Sequence, residues 1–152
     1  MPKIVVLSVG KIKDKRIASL SGEYLERIPS GLVSVERIPD QAGSPEERME
    51  REGQEMLRCL RPRDRLLLLR EDGEERDSAH FAKLLSREME SAAGRVVLAI
   101  GGPWGTCPAV KSRADESVAL SRMTFPHEMC FLFLAEQLYR AFSILRGSGY
   151  HH

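Results

Sequence analysis

Residues 95–105 read R-V-V-L-A-I-G-G-P-W-G, from Arg95 to Gly105. Five apolar residues without alternation, Val96 to Ile100, fit a strand buried on both faces, as in a parallel sheet covered by helices on either side. The glycines that follow let backbone amides and carbonyls approach a ligand closely, or take a positive φ. Their spacing matches neither G-x-G-x-x-G nor a P-loop, since no Lys-Ser/Thr follows. A plain tight turn, with Trp104 as a packing residue, accounts for the same residues.

Working outward, Leu66 to Leu69 is a second unbroken apolar run, placed after the Arg61-Pro62-Arg63-Asp64 turn. Between the two runs Asp77-Ser78 caps a helix carrying Phe81, Leu84, Leu85 and Met89 on one face, with Gly94 as its terminator, so the unit is β-α-β. Upstream, Ile4 to Val9 is a β-branched strand closed by Gly10. A helix with Ile17, Leu20, Tyr24, Leu25 and Ile28 on one face follows it and stops at Pro29 and Gly31. Leu32 to Ile38 alternates like a strand with one solvated face, and Ser44-Pro45-Glu46-Glu47 opens a charged helix reaching about Leu60. Downstream come a weaker helix from about Pro108 to Glu116, a strand over Val118 to Met123, and a long amphipathic helix from His127 to Arg146 ended by Gly147-Ser148-Gly149. The expected fold is α/β: an open, mainly parallel five-stranded sheet with helices on both faces. Ligands then belong outside the carboxyl ends of the strands.

The 152 residues fit one domain over 1–152, long enough to bury about two thirds of the surface of the unfolded chain. With 23 basic and 22 acidic side chains the formal charge is +1, which excludes a global field of the kind that drives nonspecific nucleic-acid binding. RNA contact would have to be a local patch. Cys59, Cys107 and Cys130 are odd in number and lack C-x-x-C spacing, and no basic and apolar leader is seen, so a reducing, cytoplasmic location is expected. The apolar runs are too short to cross a bilayer, and no histidine and cysteine spacing reads as zinc ligands, so neither membrane nor metal is expected.

Three further stretches carry chemistry. Leu120-Ser121-Arg122-Met123-Thr124-Phe125 offers backbone groups and two hydroxyls between apolar walls, suited to an adenine edge; its bland reading is the cap of the last helix. Glu136 and Arg140, spaced i, i+4, are an ordinary helical ion pair when taken alone. Tyr150-His151-His152 reads as a frayed tail or as titratable groups held at a site.

Together, I-G-G-P-x-G, L-S-x-M-T-F-P-H, E-Q-L-Y-R-A and a terminal Tyr-His pair, in this order and near this spacing, resemble the RlmH family of ribosomal large subunit pseudouridine methyltransferases. The resemblance covers essentially the entire chain. It implies a SPOUT-type fold whose C-terminal part threads a trefoil knot, an exception to the rule against knots. It implies an S-adenosyl-L-methionine site built from Leu69, from Gly101, Gly102 and Gly105, and from Leu120, Ser121, Arg122, Met123, Thr124 and Phe125. It also implies a homodimer in which Tyr150 and His151 of one subunit complete the other's site, and N3-methylation of a pseudouridine in 23S rRNA of the assembled ribosome.

Methyl transfer to a uracil-type imide needs alignment and loss of the N3 proton. His151 is the candidate base, Arg140 the candidate cation, and Tyr150 the group that orients or stacks on the base. The chain departs from many relatives in having Phe131 where they carry arginine and His152 where they end in lysine or arginine. Two other readings are a dinucleotide-dependent oxidoreductase, which the glycine spacing disfavours, and a noncatalytic ribosome-binding protein of the same fold.

Overall fold

Ile4–Val9 forms β1 and Val96–Ile100 forms β4, each buried along its whole length because neither run offers a polar face. In the computed structural model, which describes residues 4–151, these two strands lie side by side at the centre of a five-stranded sheet. The remaining elements are α1 (Lys15–Glu26), β2 (Val33–Ile38), α2 (Pro45–Cys59), β3 (Arg65–Glu75), α3 (Ser78–Ser91), α4 (Pro108–Arg113), β5 (Glu116–Ala119) and α5 (His127–Arg146). Strand order is β2-β1-β4-β3-β5 and every pairing is parallel. On one face, Ile4, Val6, Leu67 and Leu98 pack with Leu85 of α3 and Leu134 and Leu138 of α5; on the other, Val5, Leu7, Leu68 and Val97 pack with Met56 of α2 and Val110 of α4. The expected α/β layering is therefore the observed one.

Helix starts follow local chemistry. Ser44 and Glu47 form a reciprocal capping box with Pro45 at the first helical position of α2, and Asp77 caps α3 through the His80 amide. Both satisfy amides that an unpaired helix end would leave open. Gly147 closes α5 in the left-handed region at φ 72, a conformation that costs a glycine nothing.

Three boundaries differ from those expected. Strand β3 continues to Glu75, with a register shift between Leu69 and Glu74 against β5, because only the leucine half is buried while the polar half bulges out. Strand β5 ends at Ala119, since the Ser121 hydroxyl accepts the Met123 amide at 3.0 Å and draws the chain out of extended geometry. Helix α4 stops at Arg113 because Asp115 is already on the sheet: its amide donates to the Leu66 carbonyl at 2.8 Å and its carboxylate accepts from the Leu66 amide at 2.8 Å.

The turn before β3 is locked to β4 by a buried ion pair. Arg95 donates to Asp64 through Nη2 at 2.7 Å and Nε at 3.2 Å, and the Asp64 carboxylate also accepts the Arg61 and Arg95 amides. Burial pushes the Asp64 carboxyl up, but these hydrogen bonds outweigh it and hold the group below the usual carboxylate range. A depressed folded value stabilises the fold above the unfolded pKa of about 3.9, and that stabilisation is lost as pH falls through the folded value. Asp64→Ala should cost about 3 kcal/mol in urea unfolding, because it removes the buried partner of Arg95 and leaves only the more exposed Glu36 at 3.1 Å to balance its charge. Asp64→Asn should flatten the loss of stability with acid; an unchanged acid slope would contradict this assignment.

Candidate active site

The sheet puts three chain segments around one cleft. The chain steps from β3 inward to β4 and then back outward past β3 to β5, so the strand order reverses next to β4. In open parallel sheets the ligand crevice lies outside the carboxyl ends of the strands. Here it is a cleft of about 840 Å³ bounded by Leu69 and Arg70 from β3, Ile100 to Thr106 after β4, and Leu120 to Cys130 after β5. Leu69, Gly101, Gly102, Gly105, Leu120, Ser121, Met123, Thr124 and Phe125 all line it. Arg122 does not; its exposed guanidinium pairs with Glu75 at 2.5 Å.

The three glycines serve different ends. Gly105 has φ +91 with open space around it, so it is there for conformation. Gly101 and Gly102 have ordinary backbone angles and instead answer close packing. A Cβ on Gly101 would lie 2.8 Å from Thr106 Oγ1 and 3.2 Å from the Gly105 carbonyl oxygen, and one on Gly102 would lie 2.5 Å from Glu52 Oε1. The turn is clipped by the Gly105 amide donating to the Gly102 carbonyl at 3.1 Å. Trp104, read from sequence as packing, is 51% exposed and does not line the cleft, whereas Met123, 73% exposed, does.

The walls suit an adenosyl group. Leu69, Ile100, Leu120 and Phe125 supply apolar surface, the bare backbone of residues 101–105 lies open to the cleft, and the Ser121 hydroxyl keeps its proton free to donate while accepting from Met123. Apolar walls with few convergent polar groups characterise sites for such ligands. At the margin Arg70 and Asp72 pair with each other at 2.9 and 2.8 Å beside Lys111.

The second constellation lies on α5 and the tail. Arg140 donates to Glu136 Oε1 through Nε at 2.9 Å and Nη2 at 2.7 Å, and its Nη1 lies 3.0 Å from His151 Nδ1. A guanidinium only donates, so the geometry makes Nδ1 the acceptor and leaves the imidazole proton on Nε2. Tyr150 donates to Glu136 Oε1 at 3.1 Å, packs edge-on against Tyr139 at 4.6 Å, and has the Arg140 guanidinium 4.8 Å from its ring centre. Burial first, then the Tyr24 hydroxyl and the Glu136 carboxylate, push the Tyr150 phenol up to about 12. It therefore remains protonated at neutral pH and acts as donor and stacking surface. Glu136, which sequence reasoning read only as an ion-pair partner, is the hub that both Arg140 and Tyr150 share. Its i, i+4 spacing was visible; its bond to Tyr150 was not.

None of Arg140, Tyr150 and His151 lines the cleft of its own chain. The arrangement thus brings the cofactor candidates together and gathers the catalytic candidates elsewhere on the same subunit. His152 lies outside the described residues. The Phe131 ring is buried, and the Arg37 guanidinium of β2 sits 4.9 Å from its centre. Among the described residues no three His, Cys, Asp or Glu side chains gather as metal ligands, and no helix is long and apolar enough to cross a membrane.

A parallel sheet covered by helices on both faces, with a glycine-walled cleft at the carboxyl ends of its strands, defines an α/β protein of the open-sheet class. The family model described as "Predicted SPOUT methyltransferase" matches residues 2–151, and the chain belongs to the SPOUT methyltransferase family. Among curated proteins it is similar to ribosomal RNA large subunit methyltransferase H of Porphyromonas gingivalis, 45% identical over 99% of each chain. Proteins of the same name from Phocaeicola vulgatus and Geotalea daltonii are 38% and 37% identical, again over 99% of each chain.

Proposed function

We propose that this chain, one SPOUT domain with the family's C-terminal trefoil knot, is a cytoplasmic homodimer that methylates N3 of a pseudouridine in 23S rRNA of the assembled ribosome, using S-adenosyl-L-methionine. The observation that carries the dimeric part is the separation just described: a cleft furnished for the cofactor, and a Tyr150–His151 tail that lies off it in the same chain. A tail serving the partner's cleft resolves that separation.

Leu69, the Gly101–Gly105 turn and Leu120 to Phe125 would hold the cofactor, which when bound supplies a methyl group on a sulfonium, ready for in-line displacement. The protein's own work is alignment and removal of the N3 proton. His151 is assigned to take it through Nδ1 once the Arg140 hydrogen bond to that nitrogen is released, since Nε2 already carries a proton. Arg140 stabilises the negative charge left on the imide, and Glu136 fixes the direction of its guanidinium. The neutral Tyr150 ring stacks on or orients the base.

Calorimetric titration separates this reading from a dinucleotide enzyme. S-adenosylhomocysteine should bind and NADH should not; binding of NADH alone would overturn the cofactor assignment.

A further inference from the structure

Helix α2 sits behind the glycine turn and carries an acid that the chemistry above does not use. Glu52 is 4% exposed, and its Oε1 finds no hydrogen-bond partner among the described residues. That oxygen is pressed against Gly102, where a Cβ would sit 2.5 Å from Oε1 and 3.0 Å from both the carboxyl carbon and Oε2. An unpartnered buried carboxyl is costly, and a protein that retains one at a functional turn is holding strain there.

We infer that Glu52 is a positioning residue for the cofactor: its buried carboxyl props the Gly102 backbone at the height where the turn forms one wall of the cleft. The inference rests on the cofactor reading of that cleft. The contact runs through backbone, since Gly102 has no side chain to yield, and the turn is clipped on its far side by Gly105. A displacement of the acid is thus passed to the cleft wall. The ionisable groups facing Glu52 are Asp40 from the loop after β2 and Arg48 one turn earlier on α2. Burial and Asp40 both push the Glu52 carboxyl up while Arg48 opposes them, which favours the neutral acid that such a dry position tolerates.

The test compares wild type, Glu52→Gln and Glu52→Met for S-adenosylhomocysteine affinity by calorimetry and for thermal unfolding. Glu52→Met removes the orphaned polar group, so Tm should hold or rise. Its affinity should nevertheless fall on the order of tenfold, which is about 1.4 kcal/mol. Glu52→Gln keeps the shape and should bind like wild type. A Glu52→Met protein that binds as tightly as wild type, or that loses affinity only together with Tm, would overturn the proposal. Gly102→Ala should weaken binding in the wild-type background and do so less beside Glu52→Ala, where the Cβ has room; additive effects would count against the contact. Failure of the cofactor reading looks different, because the wild type itself then shows no binding and both fall.

Discussion

Replacing His151 by alanine is expected to lower methyl transfer by about a hundredfold or more, the range for loss of a general base, while S-adenosylhomocysteine affinity stays unchanged. The imide proton must leave as the N3 lone pair forms its bond to carbon, and among the described residues of the tail no other group is suited to take it. Tyr150 is held as a protonated phenol with its pKa pushed up to about 12, and Arg140 can only donate. Subunit complementation then asks which cleft the tail serves. Co-expressed His151→Ala and Gly101→Val chains form mixed dimers with one intact cleft and one intact tail, on different subunits. If tails act in trans, such a dimer has one complete site, and random pairing in a two-fold dimer restores about a quarter of wild-type activity. Assayed at a cofactor concentration well below the Gly101→Val dissociation constant, a mixture whose tails act in cis gains nothing over its parents.

Gly101→Val should lower cofactor affinity by roughly 10- to 100-fold, from about 1–3 kcal/mol of overpacking. The first atom beyond Cα would already lie 2.8 Å from Thr106 Oγ1 and 3.2 Å from the Gly105 carbonyl, and a branched side chain cannot turn away from both. The turn must open, and the cleft wall moves with it. Calorimetry with S-adenosylhomocysteine reads the loss, and unfolding in urea checks that the sheet beneath is intact. Undiminished affinity would show that the turn is not a cofactor wall.

The layered sheet was legible because Ile4 to Leu7, Leu66 to Leu69 and Val96–Ile100 are short apolar runs without alternation, bounded by turn residues, as strands covered on both faces are. The start of α2 was equally plain in Ser44, Pro45 and Glu47. Boundaries set by tertiary pairing were not: the bulge that lengthens β3 depends on β5, and β5 ends where the Ser121 side chain bends the chain. For the site, the glycine turn could be found in sequence, but not why each glycine is there. The reasons for Gly101 and Gly102 are Thr106 and Glu52, and Glu52 comes from a different helix. The exposure of Trp104, the cation that Arg37 places beside Phe131, and the Glu136–Tyr150 bond are likewise products of folding with no local signal.

The central claim is that this chain places a methyl group on one pseudouridine of ribosomal RNA. The most direct measurement incubates the protein and labelled S-adenosylmethionine with ribosomes from a strain lacking the mark, then maps the product by nuclease digestion and mass spectrometry. The account predicts label on a single pseudouridine of the large-subunit RNA, at N3, appearing about a hundredfold or more slowly with the His151→Ala protein. Label elsewhere, or no transfer by a protein that still binds the cofactor, would contradict it.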